Sequence, residues 1–235
     1  MIQLYQFPHA QAVRSISPYC LKVETFLRMA ELPYESVMVM NPGRAPKKKL
    51  PYIKDGEKTI ADSEFVLDYL IGRYALQLDA HLSDYDKAVG LCVVRMLDEH
   101  FIWTLMYTRW VDDRYWPEFK KLIFKKMPLP LRLIIPNQIR KNIQQALLLQ
   151  GMSRHSREEI ESLAKKALTA LSNLLGDKPY LLGNRPTRYD ASVYAFVANT
   201  LKLPLNTAAK AHAQELKNLV DYCERMDQQY FVLAA

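Results

Sequence analysis

Ser17-Pro18-Tyr19-Cys20-Leu21-Lys22-Val23-Glu24 decides the fold class, because it sets a hydroxyl, a proline and the start of an apolar stripe where a strand gives way to a helix. A serine oxygen can accept from the free N–H groups of a first helical turn, and proline at the next position is pre-set for helical φ. The stripe Val23, Phe26, Leu27 and Ala30, at i, i+3, i+4, i+7 spacing, predicts a helix that stops before Pro33. Upstream, Ile2 to Pro8 alternates, with Ile2, Leu4 and Gln6 on one face and Gln3, Tyr5 and Phe7 on the other, which is the period of a strand. Downstream, Tyr34 to Met40 reads as a second strand and Asn41-Pro42-Gly43 opens an irregular link. Pro51-Tyr52-Ile53-Lys54 and Lys58-Thr59-Ile60-Ala61 flank Asp55-Gly56 as a hairpin, and Asp62-Ser63 caps a helix with the stripe Leu67, Leu70, Ile71, Tyr74. A crossover followed by a tight turn gives a small mixed sheet with helices against it.

Residues 1–76 therefore form an α/β domain, Leu78 to Leu82 a linker, and residues 83–235 an all-helical domain. Ser83 to Arg114 is long and apolar-rich, and Ser156 to Leu175 carries Ile160, Leu163, Ala164, Ala167, Leu168 and Leu171 on one face. Thr187-Arg188-Tyr189-Asp190 has the form of a capping box ahead of a further helix. Leu129 to Pro136 is proline-dense and reads as a mobile loop.

Of the 235 residues, 49% are hydrophobic, which suits folded domains with real cores and excludes a disordered chain. No apolar run reaches the roughly 18 residues of a membrane-spanning helix. The N-terminus enters the first strand without a secretory leader, so the cytoplasm is the expected location. Cys20, Cys92 and Cys223 are widely spaced and odd in number, so neither a disulfide framework nor a metal cluster is expected. The net charge of +7 gathers locally, in Lys120, Lys121, Lys125, Lys126, Arg132, Arg140 and Lys141. Without groove-reading motifs this is read as a solvated helix face, and no nucleic acid is expected.

A helix start stabilises negative charge, a thiolate included, so thiol chemistry gains from being held at Ser17 to Cys20. Two readings differ in whose sulfur it is. Either a bound ligand supplies the thiol, with the Ser17 hydroxyl donating to it, or Cys20 itself reacts, although it lies about one turn inside, where cysteine is usually a buried hydrophobe. Serine as a plain N-cap accounts for Ser17 equally well.

Ser17-Pro18-Tyr19-Cys20 resembles the Cys-Pro-Tyr-Cys site of glutaredoxins with its first cysteine replaced. With Leu50-Pro51, Asp62-Ser63 and Thr187 to Asp190 in the same order, the chain resembles the glutathione S-transferase superfamily, a thioredoxin-like domain followed by a helical one. Leu4 to Pro8, Ser17 to Glu24, Lys49 to Ile53 and Gly151 to Ser156 resemble most the failed-axon-connections and metaxin-like branch and its bacterial relatives.

The resemblance implies glutathione as co-substrate, a small hydrophobic electrophile as second substrate, and a homodimer. It implies Ser17 as the catalytic residue and a cis peptide before Pro51 that exposes the Leu50 backbone to the cysteinyl unit of glutathione. Ser63 would take the γ-glutamyl carboxylate, Asp62 the ammonium, and Lys49, Lys48 or Arg14 the glycyl carboxylate. Gln6 stands where the tyrosine-type enzymes keep their catalytic phenol, so that mechanism is not expected. His100, Trp103, Met106, Tyr107 and Trp110 could line an electrophile pocket between the domains, but at helical spacing they are read first as core, and Arg154 and His155 as a surface turn. Two other functions stay open: a non-catalytic adaptor such as the metaxins of protein import assemblies, using Phe119 to Lys141 as partner surface, and a Cys20-dependent thiol reductase.

Overall fold

The computed structural model describes residues 1–9, 13–125 and 127–231; Lys126, one of the cations named above, lies outside them. Strand β1, Ile2–Gln6, buries Ile2, Leu4 and Gln6 and leaves Gln3 and Tyr5 half-buried, as its alternation requires. Ser17 then caps helix α1, Pro18–Met29, and β2, Tyr34–Met38, returns parallel to β1 with Ile2 opposite Tyr34. The hairpin strands β3, Tyr52–Asp55, and β4, Lys58–Ala61, run antiparallel around the Asp55-Gly56 turn, where Gly56 takes φ 60°. The sheet order is β2-β1-β3-β4, and α2, Ser63–Tyr74, follows β4 directly. The second strand is shorter than expected by two residues, although Val39 still donates to the Gln6 carbonyl at 2.8 Å.

All later regular elements among the described residues are helical, apart from one isolated bridge between Tyr180 and Gly183. Helices α3, Asp84–Arg95, and α4, Ile102–Trp110, are continuous through a wide π-helical segment, Met96–Phe101. After α5, Trp116–Phe124, comes α6, Leu131–Gln150. This corrects the expected mobile loop at Leu129 to Pro136, most of which is helix. Pro136 sits in the second turn, where its missing N–H removes only the bond to the Arg132 carbonyl, and the helix continues to Gln150. The remaining helices are α7, Arg157–Leu175, α8, Arg188–Leu201, α9, Ala208–Glu215, and α10, Lys217–Tyr230.

Helix α8 is the hub of the core, with every residue from Asp190 to Thr200 buried, and it packs on α1. Its start is held by the buried Asp190 carboxylate, which accepts from the Thr187 N–H and hydroxyl and from the Leu181 N–H, each at 2.8 Å. Gly90 of α3 is where that packing is tightest. A Cβ there would stand 2.6 Å from the Tyr189 ring, so only glycine lets α3 approach α8 this closely.

Candidate functional site

The strand register builds the site. Tyr5 pairs with Tyr52 and Tyr52 with Ala61, so one step further along the ladder the Leu50-Pro51 turn lies between the end of β1 and the Asp62-Ser63 helix start. The Leu50-Pro51 peptide is cis. Buried Cys20, Ala45 and Leu50 pack together with Tyr5, Phe7, Val39 and Tyr52, which fixes the first turn of α1 against that turn. Burial raises the pKa of the Tyr19 phenol, and the Asp98, Glu99 and Asp62 carboxylates add to the effect, so Tyr19 also senses the start of α2. Ser17, Leu50, Pro51, Asp62 and Ser63 thus share one rim of the sheet.

Ser17 is half-buried, with extended backbone at φ −97°, ψ 116°. Its Oγ accepts from the Cys20 N–H at 3.4 Å, and its own N–H donates to Ser15 Oγ at 3.2 Å. A hydroxyl that accepts the capping bond keeps its proton to donate. That proton is also within reach of the Cys20 sulfur, so capping and donation use different parts of the same group.

Cys20, one turn further in, is 0% exposed, and burial pushes its thiol up to about 11 despite hydrogen bonding from Phe7, Ser17 and Ser15. A thiol so placed is neither ionised at neutral pH nor open to a substrate, which removes the geometric basis for a Cys20-dependent reductase.

Around the rim, the Leu50 N–H and C=O take part in no backbone hydrogen bond among the described residues. Asp62 has φ +88°, a conformation that costs a non-glycine residue about 1–3 kcal/mol, and its Oδ1 accepts from the Glu64 N–H at 3.0 Å. That bond leaves the buried Ser63, first residue of α2, with its N–H directed out of the helix start. An N–H and a hydroxyl at a helix N-terminus suit a carboxylate. Lys48 and Lys49 are exposed on the preceding link, and Lys47 lies over the Phe65 ring at 4.5 Å, tying the link to α2. These groups fit glutathione as a ligand.

Arg14 is placed elsewhere. Its Nη2 lies 2.7 Å from Oε1 of Glu24, a carboxylate with 0% exposure that also accepts from Gln6 and Tyr34, and its guanidinium lies 5.6 Å from the centre of the Phe231 ring. A buried carboxylate needs its cation, so Arg14 is held as the counter-ion of Glu24. Gln6 donates to Glu24 and Ser36, and Tyr5 stacks on Tyr52 at 4.3 Å, so no phenol stands at the end of β1. A shallow concavity of about 460 Å³ lined by Arg14, Arg28 and Tyr34 belongs to this same cluster and includes none of the rim residues.

Sequence reasoning passed over two groups that hold the rim in place. Arg109 of α4, 4% exposed, donates to the Ile16 carbonyl at 3.0 Å and to the Asn199 carbonyl at 3.0 Å, while Asn199 Nδ2 donates to the Ser15 carbonyl at 3.0 Å. The helical domain thus grips the two residues before Ser17. Burial lowers the Arg109 pKa to about 10, which leaves it charged at neutral pH, facing carbonyls rather than a carboxylate. The second group is Lys22, 1% exposed, whose ammonium lies 2.8 Å from Glu64 and 3.1 Å from Asp98 of the π-helical segment. Arg188 of α8 adds a contact to Glu64 at 3.3 Å.

The aromatic face of α4 is mostly core, as its spacing suggested. Trp110 packs on Trp116 and Phe119 at 5.6 and 5.2 Å, and Trp103, Met106 and Tyr107 pack against the buried Leu147, Met152 and Ile160. His100 is half-buried, and Arg154 and His155 are exposed in the turn before α7. No cluster of metal-ligating side chains occurs among the described residues.

Residues 18–115 match the glutathione S-transferase N-terminal domain and residues 164–226 the glutathione S-transferase C-terminal domain. An isoprene-epoxide–glutathione S-transferase from Rhodococcus sp. (strain AD45) is 31% identical over 236 residues, covering 98% of this chain and 99% of its own. The chain belongs to the glutathione S-transferase family. Failed axon connections of Drosophila melanogaster is 32% identical over 98% of this chain and 58% of its own, and metaxin-1 of Macaca fascicularis 26% identical over 98% and 75%. These relatives are those of the metaxin-like branch that the motifs resembled. Among solved structures, the transferase GSTFuA3 of Phanerochaete chrysosporium superposes with a TM-score of 0.68 over 99% of this chain and 98% of its own, at 14% identity. The beta-etherase LigF of Sphingobium sp. superposes at 0.64 over 96% and 94%, at 18% identity. Both show the fold, a small thioredoxin-like domain followed by a helical one.

Proposed function

We propose that this transferase binds glutathione along the rim formed by Ser17, Leu50, Pro51, Asp62 and Ser63 and joins it to a small hydrophobic electrophile. One observation carries the reading: the rim presents a hydroxyl at Ser17, a backbone N–H and C=O without a backbone partner among the described residues at Leu50, and a helix-start N–H at Ser63. Ser63 receives the γ-glutamyl carboxylate, Asp62 faces the ammonium, and the Leu50 backbone pairs with the cysteinyl unit as an added strand does. Lys48 and Lys49 are the cations left for the glycyl carboxylate, since Arg14 is held by Glu24. Glutathione supplies the nucleophilic thiol, and the Ser17 hydroxyl donates to that sulfur at a helix N-terminus, favouring its ionised form near neutral pH. The substrate named for the Rhodococcus relative makes a small epoxide the electrophile to try first. Three free cysteines suit a reducing compartment, and the cytoplasm is proposed on that ground.

Retention on immobilised glutathione and a rise in melting temperature with free glutathione test the binding. Ser17→Ala should lower turnover by about 10-fold or more, and Ser63→Ala should weaken retention. Unchanged turnover in Ser17→Ala removes that hydroxyl from the mechanism. A second reading, an adaptor on this fold, is favoured by the likeness to Failed axon connections and metaxin-1. It is supported if glutathione is retained but no turnover is found with any of a panel of epoxides and aryl halides.

A further inference from the structure

The segment between the two family-matched regions, residues 116–163, carries α5 and α6. The turn joining them departs from the habit of globular helices, which hide their apolar side. From Pro128 to Ile134 every residue is exposed, yet Leu129 is 62%, Leu131 47%, Leu133 63% and Ile134 65% open to solvent. Leu131 and Leu133 stand about 200° apart around the helix axis. Both are exposed, so the first turn of α6 stands clear of the body on opposite sides. A flat protein face would cover one of those sides and leave the other wet. A lipid interface closes round a protruding turn and covers both.

The charge around this tip has one sign. No Asp or Glu occurs from Phe119 to Arg157, and Lys121, Lys125 and Arg132 are exposed beside the apolar side chains. Among the described residues the Arg132 guanidinium reaches only the Lys125 carbonyl, at 3.5 Å, and no carboxylate. Arg140, further along α6, is already engaged by Asp113 and is not part of the patch.

We propose that the α5–α6 tip docks on an anionic lipid surface, with Leu129, Leu131, Leu133 and Ile134 entering the boundary between headgroups and acyl chains and Lys121, Lys125 and Arg132 meeting the lipid phosphates. No described helix is long and apolar enough to cross a membrane, and the tip itself enters only the interface. It does not depend on the glutathione reading, since it uses none of the rim residues.

The whole protein is tested by flotation with vesicles of phosphatidylcholine alone and with about a third of it replaced by phosphatidylserine. The expected result is binding to the anionic vesicles that falls several-fold between about 0.05 and 0.5 M salt. Leu131→Ser/Leu133→Ser should cut that binding by about 10-fold or more while melting as the parent does, because exposed side chains hold nothing in the fold. Lys121→Glu/Lys125→Glu should weaken it most at low salt. No binding at low salt, or equal binding by Leu131→Ser/Leu133→Ser, overturns the proposal. So does sedimentation showing that the apolar tip joins two copies, with the dimer lost in that variant.

Discussion

Replacing Lys22 by methionine keeps most of the side-chain volume and removes the charge from the seam between the two domains. The ammonium now lies 2.8 Å from Glu64 and 3.1 Å from Asp98, whose side chains are 21% and 7% exposed. One Asp98 oxygen already lacks a hydrogen-bond partner among the described residues and Arg95 acts on it only through its field, whereas Glu64 keeps a direct contact with Arg188. Breaking a buried pair by removing one member costs about 3–5 kcal/mol, and the contact retained by Glu64 places this case near the lower end, about 3 kcal/mol. For a chain of this size that is a fall in melting temperature of about 6–12 °C. Urea unfolding and thermal melts at neutral pH measure it. The loss should shrink as pH falls toward 5: burial raises the Asp98 pKa, Lys22 opposes that rise, and without Lys22 the folded state gains by taking up a proton. Asp98→Asn in the Lys22→Met background should recover a large part of the deficit. A loss under about 1 kcal/mol, or one that neither acid nor Asp98→Asn relieves, refutes the reasoning.

Arg109→Met withdraws the donor from the Ile16 carbonyl beside Ser17 and should lower kcat with glutathione by about 10- to 100-fold, with Arg109→Lys intermediate; a normal kcat in a protein that merely melts earlier makes the residue structural only. Iodoacetamide at neutral pH should label the exposed Cys92 in the native protein and spare Cys20 and Cys223, whose thiols burial raises to about 11 and about 12; peptide mass spectrometry reads the result, and fast labelling of Cys20 would revive the reductase reading. Burial alone would raise the Glu24 pKa, but Arg14, Gln6 and His9 outweigh it and hold the carboxyl below the usual range. Its stabilisation is therefore present above the unfolded value of about 4.3 and lost as pH falls through the folded one, so Glu24→Gln should cost stability at pH 7 and much less at pH 3.

What the sequence showed plainly was local. The Ser17-Pro18 helix start, the alternation of β1, the Asp55-Gly56 turn and the Thr187 to Asp190 box each lie within a few residues, where spacing and backbone chemistry are enough. The rim needed the family resemblance as well, because Ser17, Leu50 and Ser63 are brought together only by strand register. The supporting groups were not legible for a related reason. Lys22 meets Asp98 across 76 positions and Arg109 meets Ile16 across 93, and a lone cation in an apolar stripe looks the same whether it is solvated or buried. Arg14 was drawn toward the ligand by its nearness to Ser17, while the partner that holds it, Glu24, lies two turns into α1. The prolines around α6 misled because Pro128 and Pro130 precede the helix, and Pro136, although inside it, forfeits one backbone bond of a helix that runs on to Gln150.

The wide turn at Met96–Phe101 fits one extra residue into an otherwise ordinary helix. Closing that turn to ordinary helix with every residue kept would swing everything after it by about 100° relative to α3. Trp103 and Tyr107 would leave their places against Leu147, Met152 and Ile160, and Arg109 would point away from the chain ahead of Ser17. The placing of a hydroxyl in the first domain therefore hangs on the width of a single helical turn in the second.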